Sequence, residues 1–332
     1  MKHWEKRAVM MEQQWQKDIE ELEHELDKLY RRTLSDIRKE MNDYAARFKM
    51  SYKELSKHLS KLDGVLFQTD AEAYYKRLEA LESELAELAG KEVAVYLDTA
   101  KVTRLAAMHF EIDRALIDLS LNTNQRLKTH IADGYVRDLV QHKYEFKRMG
   151  IETPVYKLDK ALIDRVVSYP WSGDTFSSTV WNNGRRLALS MKREFTKGIV
   201  TGQSVDKITA AMSDRLGSGL METKRLVRTE SNYFHNQASL DSYEEAGMEK
   251  YQILATLDNK TSRTCKDQDG EIYDVGKEVV GVNFPPFHPY CRTTTIPYFE
   301  DENGERFARN KHGEPIMVDN MKYAEYEKQF LS

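Results

Sequence analysis

The chain has 332 residues with 50 Lys+Arg against 54 Asp+Glu, a formal net charge of −4, so any contact with nucleic acid must come from a local patch. Charged residues make up 31% and hydrophobic ones 40%, with only 7 Pro and 16 Gly; collagen-like and low-complexity material is excluded and long solvated helices are favoured. Two cysteines exclude a disulfide scaffold and fit a reducing compartment, and no apolar run approaches the ~18–20 residues that span a bilayer.

The charged start, Met1 to Arg7, is followed by no apolar stretch of a secretion signal, and the length implies about two domains. Trp15, Ile19, Leu22, Leu26 and Leu29 alternate in steps of four and three, a heptad seam on one helix face. Ser51 to Glu54 reads as a capping box, with Met50 and Leu55 as its hydrophobic staple. A second seam, Tyr74, Leu78, Leu81, Leu85 and Leu88, predicts one helix ending at Gly90 as its C-cap. Such seams serve either helix packing within a bundle or an intermolecular coiled coil. The helical pattern continues to Gly150, where the main boundary is expected.

Beyond it, Ser177 or Ser178 is positioned to cap a helix carrying Val180, Trp181, Leu187, Leu189 and Met191 and ending at Gly198 or Gly202. Ser204 caps the next, and a flexible Gly217-Ser218-Gly219 separates it from a further helix with Leu226, Val227, Tyr233 and Phe234. After Gly247 the pattern turns strand-like at 251–257, 271–273 and 293–296. The expected fold is α+β and predominantly α-helical. It comprises a long-helix hairpin or bundle (1–150), a short-helix region (151–247), a small three-stranded β-module (248–300) and a polar C-terminal tail (301–332) that needs a partner for order.

Both cysteines fall in the β-module, Cys265 and, three residues after His288, Cys291. Thiolates and an imidazole are zinc ligands, and three residues of spacing lets two of them face one ion; a fourth donor would be Asp258, Asp267, Asp269 or water. The same residues admit a Cys265–Cys291 disulfide, a Cys–His nucleophile, or a packed proline-rich turn without a metal. Between 181 and 230 ten basic residues stand against five acids, so this region is locally positive. Arg185, Arg186, Lys192, Arg193, Lys197, Lys224, Arg225 and Arg228 are its candidate phosphate contacts, the alternative being a solvated helix face. Arg228-Thr229-Glu230 also reads as an internal ion pair or hydrogen-bonded node. No phosphate loop, dinucleotide fingerprint, nucleophile elbow or HExxH helix occurs in the chain.

PWSGDTF (170–176), Trp181-Asn182-Asn183, GIVTGQS (198–204), RLVRTESNYFHNQASLDSYEEAGMEKY (225–251), ILATLDNKTSRTCKDQDG (253–270) and PPFHPYCRTTTIPYF (285–299) together resemble the phage Mu F-like minor head proteins, or head morphogenesis proteins, of tailed phages. The resemblance implies a non-enzymatic virion component, assembled from the host cytoplasm into the capsid interior beside the portal. Its partners would be portal, scaffold and major capsid proteins and double-stranded DNA, with which some members are ejected. It implies no membrane association. Many relatives carry a second cysteine three residues after the first, completing four metal ligands; here Gln268 stands there, leaving zinc to Cys265, His288 and Cys291, with Asp267 as a recruit. The alternative function is a metal- or Cys/His-dependent hydrolase or nuclease-like toxin module.

Overall fold

The computed structural model describes residues 3–47, 54, 56–61, 65–81, 83–97, 102–155, 158–299, 305–319 and 321–331. Helices dominate: α1 (His3–Arg47), α2 (Val65–Glu79), α3 (Glu84–Ala94), α4 (Arg104–Arg148), α5 (Lys160–Val167), α6 (Phe176–Val200) and α7 (Val205–Glu245). The β-module follows, with β1 (Lys250–Leu254), α8 (Arg263–Gln268), β2 (Ile272–Asp274) and β3 (Thr294–Pro297), and then β4 (Glu305–Arg309), β5 (Pro315–Asp319) and α9 (Tyr323–Tyr326). This is the predominantly helical α+β class with a small β-module.

The chain forms two compact units, one of Met1–Leu22, Leu127–Trp171 and Arg225–Ser332, the other of Glu23–Arg126 and Ser172–Lys224. They interleave in sequence, unlike the contiguous segments expected. The reason is helix length: α1 and α4 have 45 residues and α7 has 41, so each contributes to both units. At about 1.5 Å per residue such helices run about 60–70 Å, twice the width of a small domain.

In the second unit, Ile37 and Met41 of α1, Phe110 and Leu116 of α4, Met191 and Phe195 of α6, and Ile208 and Met212 of α7 share one core. The first heptad seam is consumed within the chain, with Trp15, Ile19, Leu22 and Leu26 all buried. The second seam is broken. α2 ends at Glu79, Leu81 is exposed, and Ser83 starts α3 as an N-cap whose side chain accepts the Ala86 N–H. Gly90 lies inside α3, where an added Cβ would meet the Tyr75 ring at 3.7 Å, and is no C-cap. The proposed Ser51–Glu54 capping box and its staple fall largely outside the described residues.

Thr175, not Ser177 or Ser178, caps α6, its side chain accepting the Ser178 N–H at 3.1 Å. Helix α7 runs unbroken through Gly217-Ser218-Gly219. Gly219 is a contact residue and not a hinge, since a Cβ there would come within 2.9 Å of the Leu187 side chain. Gly198 plays the same part more tightly, with Ile208 Cγ1 2.4 Å from the place of a Cβ and Ile208 Cβ 3.4 Å from it.

In the first unit β1 is the central strand, antiparallel to β2 with Tyr251 opposite Tyr273 and to β3 with Gln252 opposite Ile296. Tyr251 and Ile253 alternate into a core with Trp4, Phe146, Leu240, Tyr243 and Phe284. The tail is folded, not awaiting a partner. β4 and β5 pair as a hairpin, and Ala308, Val318, Tyr323 and Tyr326 pack on Leu257.

We expect Gly198→Ala to destabilise the protein by about 1–3 kcal/mol in denaturant melts, because overpacking exceeds the helix propensity gained. Adding Ile208→Ala should recover part of that loss, and additive losses would show that the close approach is not the cause.

Candidate metal centre

From Glu230 to Asn236 every residue of α7 is buried, which a helix achieves only when elements pack on all its sides. Its polar residues are therefore hydrogen-bonded inside the first unit. Asn232 and Asn236 donate from Nδ2 to the Thr293 carbonyl at 3.0 and 3.3 Å. The Tyr243 hydroxyl donates to the Thr295 carbonyl at 3.0 Å, and the Thr229 hydroxyl oxygen accepts the Tyr290 N–H at 3.4 Å. On another side His235 Nδ1 lies 2.7 Å from Asp138 and its ring packs on Trp15 with centroids 4.9 Å apart. Glu230 accepts a 2.9 Å bond from Trp171 Nε1, so the anticipated node at Arg228–Glu230 is internal.

These bonds hold the segment that carries Cys291. Just before it, His288, Pro289, Tyr290 and Cys291 close a tight turn with Cys291 N–H bonded to the His288 carbonyl at 3.1 Å. Tyr290 sits at φ +63, a left-handed conformation that costs a bulky residue of order 1 kcal/mol and is sustained here by the surrounding bonds. The partner segment is α8, started by Ser262, whose Oγ accepts the Cys265 N–H at 3.2 Å. Asp258 and Arg292 join the two segments by paired bonds of 2.7 Å. Asp269, 1% exposed, ends α8 and accepts the Ala255 and Tyr323 N–H groups at 2.8 and 3.0 Å. Tail residues complete the frame, with the Tyr323 hydroxyl on the Asp258 carbonyl at 2.7 Å and Lys266 on Glu327 at 2.7 Å.

The result is a cluster of Cys265, His288 and Cys291 whose donor atoms all lie within 4.8 Å of one another. The two sulfurs are 3.7 Å apart, and Cys265 Sγ is 3.1 Å from His288 Nε2. Two thiolates on a tetrahedral zinc, at the usual zinc–sulfur length of about 2.3 Å, stand about 3.8 Å apart. His288 Nδ1 lies 2.7 Å from the Pro289 carbonyl, which fixes the proton there and turns the Nε2 lone pair toward the sulfurs. Cys291 is the readier thiolate. A hydrogen bond from the Cys265 thiol, with backbone N–H bonds from Phe287 and Thr293, pulls its pKa down to about 6 despite burial. The Cys265 thiol is pushed up by the same pairing and by burial. Both cysteines are free, so the structure holds no disulfide between them. The residues fit zinc, which would crosslink α8 to the His288–Cys291 turn.

None of the three acids completes the set. Asp258 is held by Arg292, Asp269 by two backbone N–H groups, and Asp267 points outward at 70% side-chain exposure, 3.8 Å from Arg263. Several of the candidate phosphate contacts are engaged with other side chains. Arg185 pairs with Glu92 and Lys192 with Asp113, both at 2.8 Å, and Arg186 with Glu222 at 3.3 Å. Arg228 reaches Gln16 at 3.4 Å. Arg193, Lys197 and Arg225 are exposed, and Lys224 is half-buried. Sequence reasoning missed Asn232, Asn236 and Ser262, and offered Asp269 only as a metal donor; only the polar run on α7 hinted at the first two.

Residues 190–296, which span all of α7 and the three candidate metal donors, match the family described as phage Mu protein F like protein. The chain carries this phage Mu F-like segment, and the match supports the class of phage head morphogenesis proteins. The chain is also 25% identical over 209 residues to NAD(+)-arginine ADP-ribosyltransferase EFV of Enterococcus faecalis, covering 57% of this chain and 42% of that protein. It therefore spans less than half of that relative's length. No solved structure matches. Among the described residues no helix is long and apolar enough to cross a membrane.

Glu230, 3% exposed, has its pKa raised by burial to about 7 from 4.5, against a smaller opposing effect of the Trp171 bond. Below pH 4.5 both folded and unfolded states hold the proton; as pH rises the unfolded carboxyl ionises first, so stability falls until pH passes about 7. Glu230→Gln, which keeps an oxygen for Trp171, should match the wild type below pH 4.5 and exceed its stability by about 3 kcal/mol at pH 8. Equal melts across this range would refute the assignment.

Proposed function

We propose that the chain is a minor head protein of a tailed bacteriophage, non-catalytic, built into the procapsid beside the portal. It acts in head morphogenesis, contacts portal, scaffold and major capsid proteins, and remains in the capsid interior of the virion. The observation that carries the reading is the match over 190–296, which overlies the buried run of α7 and the whole Cys2His module. Packaged double-stranded DNA is a further partner, suited to the exposed bases Arg193, Lys197 and Arg225, and the chain can leave with it on ejection. Quantitative mass spectrometry of purified procapsids and virions should find the polypeptide in both at low copy number. Its absence from both would falsify the proposal.

Zinc is the metal we assign to Cys265, His288 and Cys291, in a structural role. Protein purified without chelator or added metal should carry about one zinc per chain. Cys291→Ser should lose it and melt lower, whereas wild-type protein that is folded and metal-free would remove zinc from the account.

A further inference from the structure

Resting on the zinc reading, we propose that the metal's fourth coordination position belongs to none of the described side chains and takes an exchangeable, small monodentate ligand, water at rest. Structural zinc sites close all four positions with protein donors, while three protein donors leave a position open to solvent or an incoming ligand. Among the described residues the cluster contains three metal-binding side chains, and the nearby acids are engaged elsewhere as described above. Gln268, one helical turn beyond Cys265, accepts a 2.8 Å bond from the Tyr273 hydroxyl and is committed to that contact.

The asymmetry of burial says where the open position lies. Cys265 and Cys291 are each 2% exposed and pack against Ala255 and Phe287. His288 and Ser262 are only half-buried, and Pro289 and Tyr290 beside them are exposed. Both sulfurs thus form the inner wall and the imidazole edge faces outward. Ser262 Oγ is 2.8 Å from His288 Nε2 and already accepts the Cys265 N–H. Once Nε2 is turned to a metal, the Ser262 hydroxyl proton becomes available to a ligand entering at that edge. The serine is a positioning residue for that ligand, placed where the histidine rim opens.

Cobalt(II) substituted into the full-length protein reads the coordination sphere directly. Thiolate-to-cobalt charge-transfer bands report both cysteines, and ligand-field bands report the fourth donor. Titration with azide, and separately imidazole, should shift the ligand-field bands at constant charge-transfer intensity, and Ser262→Ala should still bind cobalt but need more azide to reach the same shift. Wild-type protein that binds cobalt but is silent to both ligands overturns the proposal. If Ser262→Ala gains the response that the wild type lacks, the serine oxygen holds the position and the proposal fails. No thiolate band at all means that the zinc reading itself has failed, a result distinct from either of these.

Discussion

The first unit depends on a polar constraint at its centre: the Thr293 carbonyl must be held by Asn232 and Asn236 inside the buried run of α7. A buried amide or carbonyl left without a partner costs about 1–3 kcal/mol, and although Asn236 Oδ1 has no hydrogen-bond partner, the Nδ2 groups of both asparagines and the Thr293 carbonyl do. Once they are matched, the bonds work as a registration device. They admit one placement of the strand that follows Cys291, and with it one placement of the turn that presents His288.

The β-module has little apolar material of its own around the cysteines, only Ala255 and Phe287. Modules of this size lean on crosslinks. Here those are the Asp258–Arg292 pair, the two backbone bonds to Asp269, the Tyr323 hydroxyl on the Asp258 carbonyl, and the donor set of Cys265, His288 and Cys291. The tail beyond residue 304 belongs to this framework, which is why a polar segment is ordered by the chain itself.

Local charge in the middle of the chain has a different meaning from the one its count suggests. Much of the basic excess on α6 is neutralised by acids distant in sequence, Glu92 and Asp113 among them. A window of fifty residues cannot see those partners, and long-range pairing lowers the charge left for phosphate.

Much was legible in the sequence by itself. Periodicity disclosed the long helices and the buried face of α1; β-branched and aromatic clusters disclosed the three strands; the spacing of Cys265, His288 and Cys291 pointed to their cluster, and the motifs around them to a phage Mu F-like segment. Other features required the tertiary structure. The break at Leu81–Ser83, the continuity of α7 through Gly217–Gly219 and the interleaving of the two units depend on contacts made far along the chain, where a glycine can be a packing surface as easily as a hinge. The same holds for the central polar run. Asn232, His235 and Asn236 carry no apolar period, and a polar residue shows itself as core only when its partner, here 61, 97 and 57 residues away, is in place.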